Sequence, residues 1–315
     1  RDRGGLIAQM TAFKTDVPAH EMNVILARPT DRSILVTVAL GSAGLPGDAI
    51  VEYWRPEASE RTRTTPPPLR AGGVAQIELA DLEPGAEYRY RVGVMHDAEM
   101  ARLSWGGDSR FRTRPAPGTA FTFTVQADSH LDQGVEPGVY EQTLANMLAA
   151  KPDFVVDLGD TFMTDKRGQE FTRARAQYDA QRYYFGLVAH SAPLFMVLGN
   201  HDGEKGTSGR DADDIGPWSY VQRTGRFPAP VIDGAMYTGA TALKDGVGSN
   251  YYAFEWGDAL VVVLDPYWST TERIRGGGGG NRAGGGGADP GRGRDEPLKP
   301  TDASWAMTLG RAQYD

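Results

Sequence analysis

The chain has 315 residues, 33 Lys and Arg against 41 Asp and Glu, a formal net charge of −8, and no cysteine. Disulfides, thiolate metal sites and cysteine nucleophiles are therefore excluded, and an acidic balance with no basic stripe along the sequence argues against a general grip on nucleic acid. Length suggests about two domains, and no apolar run approaches the roughly 20 residues of a membrane-spanning helix. The first residue is Arg1, which fits removal of a leader ahead of it and favours a periplasmic or secreted setting.

Residues 1–19 show no clear period and read as a strap or a loose arm. From 20 to 116 the pattern is β throughout, with runs at Met22–Ala27, Ile34–Leu40, Ile50–Trp54, Val74–Leu79, Tyr88–Val94 and Ser109–Arg112. Turn signals such as Pro66-Pro67-Pro68 and Pro84-Gly85 separate them, a spacing that predicts a sandwich. Leu82-Glu83-Pro84-Gly85-Ala86-Glu87-Tyr88 resembles the tyrosine corner of fibronectin type III domains, in which the phenol bonds back to upstream backbone.

Arg114 to Gly118 reads as a linker into residues 117–315. There strands alternate with helices, which predicts parallel βαβ units. Strands are expected at Phe121–Ala127, Phe154–Leu158 and Leu194–Leu198, and helices at Val139–Ala150 and Phe171–Val188. Two more strands, Asn250–Trp256 and Ala259–Leu264, meet at the turn Gly257-Asp258. Residues 275–294 carry Gly276–Gly280 and Gly284–Gly287 around Asn281-Arg282-Ala283; so much glycine cannot bury a core and reads as a surface insertion. The functional alternative is a lid whose Arg275, Arg282, Arg292 or Arg294 meets substrate anions.

Three strings carry the chemistry: Asp128-Ser129-His130, Gly159-Asp160 and Gly199-Asn200-His201-Asp202. Each follows an apolar strand, so each set of side chains belongs at a strand's carboxyl end, where ligand sites form in open α/β sheets. Asp128 and His130 can reach one ion. Asp160, preceded by a glycine that permits close approach, can bridge two ions about 3.5–4 Å apart. Asn200 offers a neutral oxygen to the second ion, and His201 points toward substrate. Asp202 is paired with His201 as a catalytic candidate; the alternative is a cap bonding free backbone donors.

In these strings the chain resembles the calcineurin-like metallophosphoesterase superfamily over about residues 120–315. The resemblance implies an αββα sandwich and a dinuclear centre that hydrolyses phosphate mono- or diesters through a metal-bound hydroxide. It implies Asp128 and His130 on the first metal, Asp160 bridging, Asn200 on the second, and His201 contacting the phosphoryl oxygen or protonating the leaving group. A fibronectin-like domain ahead of it is similar to purple acid phosphatases and to PhoD-like alkaline phosphatase/phosphodiesterases. Purple enzymes carry a metal-binding Tyr three residues after the bridging Asp, where this chain has Met163, and usually Asp-x-Gly where it has Asp128-Ser129-His130. No tyrosinate-to-iron colour is therefore expected.

The superfamily completes its site with later histidines, whereas His20, His96, His130, His190 and His201 are the five here. The expectation is a chain that stops mid-domain, with a C-terminal fragment as a partner supplying those ligands. His190 reads as a cationic helix cap, and His20 and His96 as structural or exposed. Asp265 is a strand-end residue suited to a turn or to the surroundings of the metals. Asp211, Asp213 and Asp214 form a solvated acidic run, and Trp218, Tyr220, Tyr267 and Trp268 are core or a pocket for an aromatic leaving group.

The fold class expected is thus α/β, an αββα metallophosphoesterase sandwich at 117–315, preceded by an all-β fibronectin III-like sandwich at 20–116. The expected cofactors are two divalent or mixed-valence ions of Zn, Mn, Fe or Co, with Ca admitted where carboxylates dominate. The expected partner is a small phosphate ester, with no nucleic acid and no membrane span. A phosphotriesterase or nucleotide pyrophosphatase on the same site, or a degenerate secreted binding module, are the rivals.

Overall fold

The computed structural model describes residues 13–65, 67–96, 103–132, 134–204, 214–239 and 250–266, with positions 309 and 313. The glycine-rich insertion, Asp211, Asp213, Tyr267 and Trp268 lie outside the described residues.

The first half is two antiparallel sheets. One joins β1 (Met22–Ala27), β2 (Ile34–Leu40) and β6 (Val74–Leu79). The other runs from β4 (Thr62–Arg63) through β3 (Gly47–Trp54) and β7 (Glu87–Met95) to β8 (Leu103–Trp105). On it, β5 (Pro68–Leu69) pairs with β3 and β9 (Ser109–Arg112) with β7. Period-two alternation drives the packing: in β7, Tyr88, Tyr90 and Val92 are buried while Arg89 is exposed. The inward rows meet in one core around Leu26, Val36, Val51, Tyr90 and Phe111. At the corner before β7 the Glu83 N–H donates to Tyr88 Oη at 2.9 Å. β4, β5 and β8 were not legible in the sequence, because two or three residues cannot display an alternation.

The second half has a parallel sheet, β10 (Phe123–Gln126), β11 (Phe154–Asp157) and β12 (Leu194–Met196), in that order. Its register aligns Gln126, Asp157 and Met196. Helices α1 (Pro137–Ala149) and α2 (Arg175–Ala189) cover one face through Leu144, Tyr178, Phe185 and Val188. The other face packs Phe154 and Phe195 against Phe254 and Trp256 of an antiparallel sheet: β13 (Tyr237–Gly239), β14 (Tyr252–Trp256) and β15 (Ala259–Val263). These are three layers of the expected αββα order.

Two corrections concern helices. The helix expected from Phe171 begins at Arg175; Thr164–Ala174 is a 3-10 segment broken at Gly168, whose φ of 53° an α-helix cannot hold. A further helix, α3 (Ile215–Arg226), was not anticipated, because Gly216, Pro217 and Gly225 obscure its period. Pro217 is tolerated in the first turn, where backbone N–H groups have no helical partner. Asp214, expected in a solvated run, stands at its N-cap position without a side-chain cap bond.

The halves are welded. Arg182 of α2 is 2% exposed and donates to Thr37 O and Oγ1 at 3.1 and 3.0 Å. Tyr90 Oη donates to the His190 carbonyl at 2.5 Å and Tyr237 Oη to that of Pro29 at 2.5 Å. His190 ends α2 with Nδ1 2.8 Å from Gly186 O, the cap role expected of it. Residues 13–16 are a strap rather than a loose arm: Lys14 N donates to Leu131 O at 2.6 Å, and Lys14 Nζ reaches Glu136 at 3.0 Å.

Candidate metal centre

Because β10, β11 and β12 are parallel and in register, the loops after them emerge at one edge. They are stitched together there. Asp128 N donates to Gly159 O at 2.9 Å, and Val197 N to Asp157 O at 2.7 Å. Gly159 and Gly199 touch back to back: a methyl on Gly159 would sit 2.0 Å from the Gly199 nitrogen, and one on Gly199 would sit 2.2 Å from Asp160 Oδ1. No other residue fits either position.

Asp128, His130 and Asp160 converge, each offering a ligand atom within 4.8 Å of the other two. His130 Nε2 lies 3.3 Å from Asp128 Oδ1, and its Nδ1 lies 3.6 Å from Asp132 Oδ2. Two carboxylates and an imidazole are hard-to-borderline donors that suit a divalent first-row ion, so the donor set fits the metal expected of it. The backbone here is strained. Asp128, His130, Leu131, Asp160 and Met163 all have φ between 34° and 57°, a region that costs an L-residue roughly 1–2 kcal/mol. Such strain concentrates at functional sites and persists only where surroundings enforce it.

Asp202 is one enforcer. It is 1% exposed, and its oxygens accept the N–H groups of Asp160 (3.0 Å), Gly199 (2.8 Å), Thr161 (2.8 Å) and Phe162 (2.8 Å). A carboxylate so engaged and so buried holds the second and third loops together; its geometry is that of the backbone-bonding alternative. Burial pushes it up to about 6 against the pull of those donors. Gln177 and Gln181 of α2 brace the first two loops from below. Gln177 Nε2 donates to His130 O (2.5 Å) and Thr161 O (3.2 Å), and Gln181 Nε2 to Ser129 Oγ (2.9 Å) and Thr161 O (3.0 Å). Beneath them Asp157 is fully buried, bonded by Thr161 Oγ1 at 2.6 Å and pushed up to about 8 by burial.

His201 stands over this edge. Its N–H donates to Asp160 Oδ1 at 2.8 Å, and its ring Nδ1 lies 2.9 Å from Asp165 Oδ2. Asn200 is bracketed by Gly199, bonded to Asp202, and His201, bonded to Asp160. Sequence reasoning missed Asp165, Gln177 and Gln181. The signals were an acid five residues past Asp160, and two amides four apart on an otherwise apolar helix face.

The other candidates lie elsewhere. Met163 is buried at 3% exposure. Trp218 packs against Tyr178 and Phe171. Tyr220 lines a cavity of about 330 Å³ between β1, β12 and α3, at whose side Arg223 forks onto Glu204 (2.6 and 3.0 Å). Asp265 is buried, its N–H donating to Gln313 Oε1 at 2.8 Å.

Residues 121–269 match the family model of the calcineurin-like phosphoesterases. That span contains all three strings. The fold is similar to a purple acid phosphatase from yellow lupin (Lupinus luteus) seeds, with a TM-score of 0.54 and 16% identity, over 77% of this chain. This chain spans 44% of that protein. Two matches of lower score are a redesigned β-sandwich protein and a human fibronectin type III domain. Their TM-scores are 0.23 and 0.26 and their identities 22% and 12%. They cover 29% and 33% of this chain and 89% and 94% of theirs. No curated protein sequence matches the chain.

Proposed function

We propose that the chain is a metal-dependent phosphoesterase acting on mono- or diesters of small molecules at a dinuclear centre. The convergence of Asp128, His130 and Asp160 within 4.8 Å carries this reading. Asp128, His130 and Asp160 would hold one ion, and Asp160 with Asn200 the other. Such ions supply Lewis acidity, activating water and offsetting charge on the phosphoryl oxygens.

The chain's own residues supply orientation and a proton. With Nδ1–H of His201 held on Asp165, its Nε2 is the free ring nitrogen, and the protonated ring delivers a proton from that atom to the leaving oxygen. Asp160 Oδ1 is anchored by His201 N–H, which ties the backbone of the proton donor to a carboxylate that would hold the ions. Asp202, Gln177 and Gln181 act through the loops they hold and are positioning residues. Among related enzymes the PhoD-like subtype is favoured over the purple one, because His130 stands in the first string and Met163 where the purple enzymes carry tyrosine. The Glu83–Tyr88 bond supports a fibronectin III-like identity for the sandwich.

The test is metal content by mass spectrometry together with hydrolysis of p-nitrophenyl phosphate and bis-p-nitrophenyl phosphate. The reading expects stoichiometric metal, loss of turnover on chelation, recovery on re-addition, and no visible absorption band. A protein that binds no metal and cleaves neither ester overturns it.

A further inference from the structure

The outer face of the β4-β3-β7-β9 region carries six arginines that the metal chemistry does not use. Strand alternation turns Arg89 and Arg91 outward opposite Tyr88 and Tyr90, and Arg110 and Arg112 outward opposite Phe111 and Thr113. Register then aligns them: Arg63, Glu52 and Arg91 form one row, and Trp54, Arg89 and Arg110 the next. Arg61 lies over Trp54 at 4.1 Å from its ring centre, and Arg91 over Trp105 at 4.2 Å. Gly93 makes room for that indole, since a methyl there would meet it at 2.8 Å.

Glu52 is 3% exposed and accepts from Arg61 (2.9 Å), Arg63 (2.9 Å) and Arg91 (2.8 Å), so three cations share one buried anion. Arg63 commits its Nε to Glu52, lies 5.7 Å from the Trp105 ring centre, and keeps a side chain 48% exposed. Arg89 and Arg110 approach Glu87 only at 3.8 and 3.9 Å, and a terminal nitrogen of Arg110 is buried without a hydrogen-bond partner. The face continues into a recess of about 400 Å³ lined by Arg110, Arg112 and Lys151 together with Glu87 and Asp153. A surplus of fixed guanidinium forks on a chain of net charge −8 is a local reversal of sign. Forks held by stacking and by a buried carboxylate are pre-organised for planar oxyanions.

We propose that this face binds an extended sulfated polysaccharide. Arg91, then Arg89 with Arg110, then Arg112 occupy successive rows two residues apart along the strands, about 6–7 Å, a line of cations suited to successive sulfates along a sugar chain. Both indoles are capped by guanidinium, which leaves them unable to stack on bases as a single-stranded nucleic-acid platform requires. The acidic remainder of the chain opposes approach to an anionic bilayer plane, whereas a single thread meets only the arginine rows. The recess abuts Thr122 and Asp153, before the starts of β10 and β11, at the opposite end of the sheet from the metal centre. The face is therefore an anchor separate from catalysis.

The test is binding of the whole chain to immobilised heparin at 100 mM NaCl, beside desulfated heparin, polyphosphate, a single-stranded oligonucleotide and phosphatidylserine vesicles. The expected result is selective heparin binding that weakens at least tenfold in the Arg89→Gln/Arg110→Gln double variant, which leaves the Glu52 cluster intact. An unchanged melting temperature and unchanged ester hydrolysis accompany it. Arg63→Lys, which keeps charge but loses the planar fork, is expected to lose about threefold. No binding to heparin, equal binding to desulfated heparin or to any other probe, or a double variant that binds like the parent overturns the proposal.

Discussion

Two buried carboxylates, one in each half, meet opposite fates. Glu52 in the sandwich is surrounded by three guanidinium groups, and their hydrogen bonds and charge, outweighing burial, bring it down to about 2. Asp202 in the second half accepts backbone N–H groups, has the like charge of Asp160 beside it, and is pushed up to about 6, chiefly by burial. Counter-charge makes the first a surface staple that strengthens its sheet and takes no part in the metal chemistry. Dipoles without counter-charge make the second a clamp on strained loops, next to the candidate metal site.

The largest break in this contrast is at the metal edge. Asp160→Asn is expected to lower ester hydrolysis by about 10³-fold or more, with metal content falling in parallel. Asp202→Ala strands four backbone donors. It is expected to weaken metal affinity about 10–100-fold and stability by about 3 kcal/mol, read by metal titration and denaturant melts. Asp165→Asn should leave metal content intact and cut kcat about 10–100-fold, since it disturbs only the His201 tautomer. Retained kcat in Asp165→Asn removes the proton-delivery role.

Glu52→Gln is the mirror case, with a loss of about 1–3 kcal/mol and no change in activity or metal. Acid titration of the metal-free protein sharpens the comparison further. Glu52, depressed on folding, contributes stability that is present above its ordinary range near 4.5 and is lost as pH falls toward 2. Asp202 and Asp157, raised to about 6 and about 8, act with the opposite sign: stability falls as pH climbs from about 4 through those values. Melting temperature should therefore peak near pH 4–5. Glu52→Gln should flatten the acid limb, and Asp202→Asn the limb above the peak.

Much was legible beforehand. Long alternating runs gave β1, β2, β6 and β7, and apolar runs ending in Asp, His or Asn gave β10, β11 and β12 with the candidate site at their ends, because a period of two and a strand-end ligand set are local patterns. The 3-10 segment and α3 were not legible, because Gly168, Gly216 and Pro217 break local signals that only packing restores, and β4, β5, β8 and β13 are too short to show an alternation.

The amino-acid sequence by itself determined which residues could ligate a metal and that Gly159 and Gly199 stand beside two of the three strings, since residue type and neighbour order are local facts. Only the tertiary structure decided that Asp202 is a clamp, that Asp165 holds His201, and that arginines from β4, β7 and β9 form one basic face on an acidic chain. Those outcomes depend on register between strands far apart in sequence, and register is set by burying the opposite face of each strand.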